Sequence, residues 1–474
     1  MATTTVTPAR RIPGRQHRFD GIRTYLARRP IVPLTLLAVV FAAMAWLRIP
    51  SIARDTLWAE DGRNFLQDAV NHGPLASLAF PYAGYLHTIP RIIASITVTI
   101  APVQFWAEAM TAGSCIVAGI LAAIVFVCTR DVVPWLPARV VIASLTVLAP
   151  LAAREVLGNA ANVHSLVLWA VFWMLLYRPR TRVGSIALGV VAVLGAATEI
   201  QCLLLLPLVL VHRRDRMRWP MYAGLALGLA AQLFTTLVWP RAHTGNPADS
   251  PLSIVYGYLI NAAMPLAMPE NAIGPVFIAT GALVGFAVVA IATASAVYVF
   301  IRGRGLHRIA AIGLLFGSFG FYAFDIVNNP QSFYDYAKFS TEQMRTVWLV
   351  RYGVVPSMML AAVVLLAIAL AVSRAASRIA SLAASPVEPP TALRPPVNRT
   401  RIAAYLASAL VAAMLLAQFV PQETRRSYGP QWSPQVASAA RACEGMPADH
   451  VVAIAETITW HVFLTCSTLD SAGG

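Results

Sequence analysis

Long, almost uninterrupted apolar runs, beginning with Ile31 to Trp46 and recurring as far as Val420, are what most limits the folds open to this chain. A backbone surrounded by hydrocarbon must satisfy its own N–H and C=O groups, so such runs read as helices that cross a bilayer. With 58% hydrophobic and only 12% charged residues, the chain cannot be a soluble globule. An all-α polytopic membrane protein is the fold class that remains. Thirty residues with seven arginines precede the first run, which has no small-residue cleavage site. This predicts a retained start-transfer helix behind a basic cytoplasmic tail, residues 1–30.

Spans are predicted near 31–48, 105–128, 138–153, 163–177, 183–198, 200–211, 220–240, 273–301, 309–324, 352–373 and 402–420. That makes eleven, with the N-terminus inside and the C-terminus outside. The cytoplasmic segments then hold 24 of the 36 Lys and Arg but only Asp20, Asp131, Asp215 and Glu388 of the 21 acids. This asymmetry is the one that orients membrane proteins. A net charge of +15 in a soluble protein would point to nucleic acid. Here the arginines fall in short clusters between apolar runs, so no nucleic-acid partner is expected.

Two segments need separate treatment. Between Pro90 and Pro102 a helix reaches only about 16 Å, too short for a hydrocarbon core of about 30 Å, and is predicted to be interfacial. Residues 183–211 are broken at Thr198-Glu199-Ile200-Gln201 and have basic clusters on both flanks, which predicts a hairpin of two short helices with Glu199 at its outer tip. The transmembrane domain, 31–420, therefore carries a first outer loop at 49–104 and further outer loops at 241–271 and 325–351. A cytoplasmic linker at 373–401 is rich in proline. A small extracytoplasmic domain, 421–474, completes the chain. Cys443 and Cys466 are the only cysteines in an outer segment, and a disulfide between them would contribute roughly 3 kcal/mol. Cys115, Cys128 and Cys202 fall within spans as apolar fillers.

The acidic, aromatic stretch from Leu57 to His87 lies directly after the first span and contains the adjacent acids Glu60 and Asp61. Signatures for zinc hydrolysis, a nucleophile elbow and P-loop phosphate binding are absent from the sequence. Nor is there an Asp-x-Asp, the pattern that commonly holds a metal for soluble nucleotide sugars. Ion transporters usually place ionisable residues in mid-span. Here Glu108, Glu199, Asp325 and Arg351 sit near predicted outer ends.

Four places together resemble the GT-C glycosyltransferases: Glu60-Asp61 in the first outer loop, Pro81 to Pro90 with the interfacial helix behind it, Gly195 to Pro207, and Arg351-Tyr352-Gly353 at the start of a late helix. Protein mannosyltransferases and aminoarabinose transferases share this layout. A Lys-Pro often found in the family's short-helix hairpin is replaced here by Glu199-Ile200. The resemblance, over roughly residues 31–373, implies transfer of a sugar from a polyprenyl-phosphate carrier to an envelope acceptor at the extracytoplasmic face of the cell membrane.

Such transfer needs a carboxylate to take the acceptor proton and cations to stabilise the departing phosphate. Asp61 and Glu60 are the candidate catalytic acids. One of two neighbouring acids stays ionised as base, while the other binds a hydroxyl or a divalent cation; whether a metal is used is left open. Arg351 leads the donor-phosphate ligands, because guanidinium matches phosphate bidentately, with Tyr352, Arg91 and Lys338 as further candidates. Tyr85, His87 and Glu199 are candidate substrate contacts. Plainer roles stand beside these: Asp61 as the cap of a helix from Gly62 to His72, Arg351 as a snorkelling anchor, His87 as a structural hydrogen-bonder, and Tyr85 as an interfacial belt residue. The alternative to an enzyme is a transporter or flippase for a lipid-linked or amphipathic substrate, with the outer acids forming a vestibule.

Overall fold

The apolar runs fold into helices connected by short turns. The computed structural model describes residues 31–241, 249–383, 396–421 and 424–470; the basic tail and the linker prolines 386, 389, 390 and 395 lie outside them. The helices are α1 (Ile31–Arg48), α2 (Thr88–Ile100), α3 (Trp106–Cys128), α4 (Leu136–Leu148), α5 (Val163–Leu176), α6 (Arg182–Ala196), α7 (Trp219–Val238), α8 (Pro251–Tyr258), α9 (Glu270–Thr280), α10 (Leu283–Arg302), α11 (Leu306–Asn328), α12 (Val354–Ala383) and α13 (Pro396–Ala417). In the tail, α14 (Trp432–Ala442) precedes an antiparallel pair, β1 (Val451–Ala455) and β2 (His461–Thr465). Among the described residues six helical stretches are long and apolar enough to cross a membrane: Ile31–Arg48, Val103–Asp131, Arg216–Val238, Leu283–Arg302, Leu306–Asn328 and Arg351–Ser377. The protein is an all-α membrane protein with one small sheet.

Helix α5 lies at the centre, with every residue but His164 buried. At about 1.5 Å per residue it is shorter than the hydrocarbon is thick, which is tolerable because protein surrounds it. Helices α6 and α7 approach through small residues. A Cβ on Gly224 would strike the Gly189 carbonyl, and one on Gly228 the Val193 carbonyl. Gly224 and Gly228 form the small-xxx-small spacing by which membrane helices bring their backbones together. Outward-facing Leu36, Ile120, Leu237, Phe286 and Phe316 are exposed, as a lipid-facing surface requires.

Buried arginines tie the helix ends. Arg48 donates to the carbonyls of Val147, in the last turn of α4, and Ala149, just past it (2.5 and 3.2 Å), and to Gln418 and Phe419 after α13 (3.1 and 2.9 Å). At the opposite end of the bundle Arg218 donates to Leu175 and Leu176 at the end of α5 (2.8 and 3.2 Å). Each guanidinium thus satisfies carbonyls that a helix terminus leaves without a partner.

The structure departs from the sequence reading in four elements. The second arm of the hairpin, Ile200–His212, is a 3-10 helix. Pro207 removes one donor, and the tighter winding, about 2.0 Å per residue, lets the segment reach further than an α-helix of equal length. The single span expected at 273–301 is two helices, broken where Gly281 takes φ +61°. The loop expected at 241–271 contains α8, continued by a π turn, Leu259–Ala263, and a 3-10 turn, Met264–Leu266, with 259–265 wholly buried. Ser250 caps α8 through the Ser253 amide, and Pro251 fills its first position. Finally, α12 runs to Ala383, into the stretch predicted as linker.

Candidate functional site

The first outer loop folds back on itself at Tyr82-Ala83-Gly84-Tyr85. Tyr82 and Tyr85 exchange backbone hydrogen bonds (2.8 and 2.9 Å), with Ala83 and Gly84 both at positive φ (+49° and +82°). This is the I′ hairpin geometry, which glycine fits and alanine resists. Among the described residues only Ala59, Ala83 and His87 are non-glycine residues at positive φ. Ala83 and His87 line one polar cavity of about 170 Å³, and Ala59 immediately precedes Glu60, which lines it as well. Backbone strain of this kind, of order 1–3 kcal/mol per residue, gathers where geometry serves function.

The cavity unites side chains from six segments. Glu60, Tyr82, Tyr85 and His87 come from the first loop, His164 from α5, Glu199 and Gln201 from the hairpin tip, Arg241, Asp325 and Asn329 from the ends of α7 and α11, and Arg351 and Tyr352 from the start of α12. His164 Nδ1 lies 2.5 Å from Glu199 Oε2, while Glu199 Oε1 accepts from the Gln201 amide (2.8 Å). The Gln201 side chain donates to Asp325 Oδ1 (2.6 Å), and Arg241 donates to Asn329 Oδ1 (2.5 Å). The outcome is a continuous polar wall. Arg351 donates from Nη1 to Glu155 Oε1 (2.5 Å) and lies over the Tyr352 ring, and among the described residues its buried Nε has no hydrogen-bond partner. One arm of the guanidinium is anchored while Nε keeps a donor to spare.

His87 packs between Phe65, Tyr82 and Tyr85, and both its ring nitrogens are shielded from solvent. Burial, helped by the charges of His164 and Arg91, holds the imidazole at about 3, so it is neutral across the physiological range. Burial, with Glu60 adding to it, pushes the Tyr82 phenol above its usual range.

Three candidates stand elsewhere. Asp61 points away from the cavity and is 1% exposed; its two oxygens accept from the amides of Ala160 and Ala161 (2.9 and 2.8 Å), two residues ahead of α5. It holds the chain that leads into α5, not one that starts at Gly62, and Glu60 alone of the acidic pair reaches the cavity. Burial pushes the Asp61 carboxyl up to about 7 against the pull of those amides and of Arg426. Arg91 is buried beneath the loop, where it binds Asp68 (2.9 Å) and the Leu86 carbonyl (3.2 Å). Lys338 is exposed and pairs with Asp335 (2.6 Å), whose carboxyl it holds below the usual range. Cys443 and Cys466 are joined in a disulfide in the tail.

Beside the polar cavity runs an apolar one of about 540 Å³, walled by Ile92, Ile96 and Ile100 of α2, Ile116, Ile120 and Ile124 of α3, and Val191 and Leu194 of α6. The linings of the two come within a few residues of each other at three places: Ile89 lies two residues from His87, Val167 one turn from His164, and Gly195 three residues from Thr198. Thr198 Oγ1 accepts the Ile89 N–H at 3.0 Å and so ties the two linings together. Among the described residues no three His, Cys, Asp or Glu side chains gather as a cation site.

The sequence reading left His164, Gln201, Asp325, Arg241 and Asn329 out of the site. They are scattered one or two to a segment, and only the packing of α5, α7, α11 and the hairpin tip brings them together. The one available signal was their shared place at predicted outer helix ends. The chain matches no known protein family, no curated protein and no solved structure.

Proposed function

We propose that this protein is an inverting membrane glycosyltransferase of the GT-C kind, which moves a sugar from a polyprenyl-phosphate carrier to an envelope glycan, lipid or protein. The observation that carries this reading is the nearness of the two cavities, whose linings come within two or three residues of each other. A polar chamber with an acid and arginines opens beside a groove walled by isoleucine, matching a donor that joins a charged headgroup to a long hydrocarbon chain.

In the proposed reaction the isoprenoid lies along α2 and α3, and the phosphate lies against Arg351 and Arg241. His164, Glu199 and Asp325 bind sugar hydroxyls. An acceptor hydroxyl attacks the anomeric carbon from the face opposite the phosphate, its proton passes to Glu60, and the carbon–oxygen bond to the phosphate breaks. The polyprenyl phosphate leaves with the bonding electrons, its charge offset by the two guanidinium groups. Glu60 takes the role of base because it is the member of the acidic pair that lines the chamber.

The reading includes eleven spans in a cell membrane, with residues 1–30 inside and the tail outside. Helix ends agree with this parity. The loop holding Glu60, the hairpin tip and the tail share one end of the bundle, while Asp131, Arg178, Asp215 and Arg218 share the other. The test is reconstitution with a labelled polyprenyl-phosphate sugar and a crude envelope acceptor. Consumption of the donor in detergent, lost in Glu60→Gln, supports the reading. A donor that crosses a sealed bilayer chemically unchanged would establish the transporter instead.

A further inference from the structure

We infer that the C-terminal domain is a working part of the site, and that Glu456 is a positioning residue that fixes the backbone carrying Glu60. Glu456 is fully buried at the end of the β1–β2 hairpin. Its Oε1 accepts the Gly62 N–H and its Oε2 the Arg63 N–H, each at 2.9 Å. These are the second and third residues after Glu60, at the start of the π turn Asp61–Leu66, where amides have no partner within the helix. Gly62 lacks a side chain where one would collide: a Cβ would stand 2.9 Å from the Glu456 carboxylate and from Val462. Asp61, between Glu60 and these amides, is pinned separately by Ala160 and Ala161. The backbone directly after Glu60 is therefore held from two sides, by α5 and by the tail, and directly before it Ala59 is held at positive φ.

The remaining tail contacts grip the same stretch at both ends. Upstream, the Trp432 N–H donates to the Asp55 carbonyl (2.7 Å), and the Ser433 hydroxyl donates to Asp55 Oδ1 (2.7 Å). Downstream, the Gln67 side chain accepts the Phe463 N–H (2.6 Å) and donates to the Phe463 carbonyl (3.1 Å), standing in for a neighbouring strand along β2. Arg63 lies over the Trp460 ring. The Cys443–Cys466 disulfide ties the end of α14 to the end of β2, so the hairpin bearing Glu456 stays attached to the helix anchored on Asp55. A side chain with two acceptor oxygens buried at this depth is costly unless its partners are fixed, and the partners it has are the amides next to Glu60.

The clamp itself is independent of the proposed chemistry; its effect on turnover rests on the glycosyltransferase reading. The test uses full-length protein in lipid nanodiscs and measures hydrogen exchange of peptides covering residues 58–66. Glu456→Ala should raise exchange there at least tenfold while leaving α5 and α12 unchanged. Glu456→Gln, which keeps the shape but one acceptor fewer, should give a smaller rise and serves if the alanine variant does not fold. Unchanged exchange in the glutamine variant overturns the clamp. In the transfer assay Glu456→Gln should lower kcat at least fivefold with KM for the lipid donor within twofold. Raised exchange with unaltered kcat overturns the positioning role. A wild-type protein that transfers nothing would instead remove the proposed function, while the exchange data still decide whether the tail sets the loop.

Discussion

Glu60 and Asp61 are neighbours with opposite surroundings. Ala59, at φ +54°, turns the chain so that one carboxylate faces the chamber and the next faces the amides ahead of α5. Asp61→Asn should therefore cost about 1–3 kcal/mol, because an amide N–H₂ replaces one acceptor against a buried N–H, and a lowered melting temperature in detergent would register it. The pH dependence has a definite sign. Burial raises Asp61 to about 7 and Glu456 to about 8, so the folded loop and tail bind protons more tightly than the unfolded chain does. Their contribution is full below the ordinary carboxylate range of about 4 and is lost as pH rises through 7 to 8. Melting at pH 5.5 should exceed melting at pH 8.5, with a smaller gap in Glu456→Gln. At this scale the sequence offered Glu60 and Arg351 as candidates, and both line the chamber. Which acid faces the chamber depends on one backbone angle at an alanine, and no residue pattern encodes that.

The elements that were easiest to read are those whose apolar runs are long and whose ends are marked, such as α1, α3 and α7. Those that were missed carry their signal elsewhere. Helix α8 was hidden because eight apolar and small residues between Ser250 and Tyr258 are too few for a span, and only the Ser-Pro start marks a helix. The break at Gly281 and the 3-10 winding of Ile200–His212 come from single residues inside otherwise uniform runs. The α6–α7 contact is the most testable packing claim. Gly224→Leu inserts a side chain against the Gly189 carbonyl and should destabilise the protein by at least about 2 kcal/mol, seen as early thermal aggregation. The same leucine at Gly320, where nothing lies within 4 Å, should be silent.

Across the whole molecule the charge asymmetry between loops is what orients the proposed arrangement, with arginine clusters inside and most of the acids outside. A cysteine introduced at exposed Ile458 of the tail should react with an impermeant maleimide on intact cells, whereas one at Arg214, in the opposite end's loop, should react only after permeabilisation. What no linear reading supplied is the nearness of an apolar groove and a polar chamber, because their walls come from α2, α3, α5, α6 and the first loop together. That nearness is the centre of the account, and in the proposed reading Glu60 is the group that makes it a reacting site. The most direct measurement is turnover of a labelled polyprenyl-phosphate sugar by purified wild-type, Glu60→Gln and Asp61→Asn protein at matched folding. The account predicts a loss of 10²-fold or more in Glu60→Gln, of the size expected for removing a general base, and substantial retention in folded Asp61→Asn. Full turnover by Glu60→Gln would contradict it.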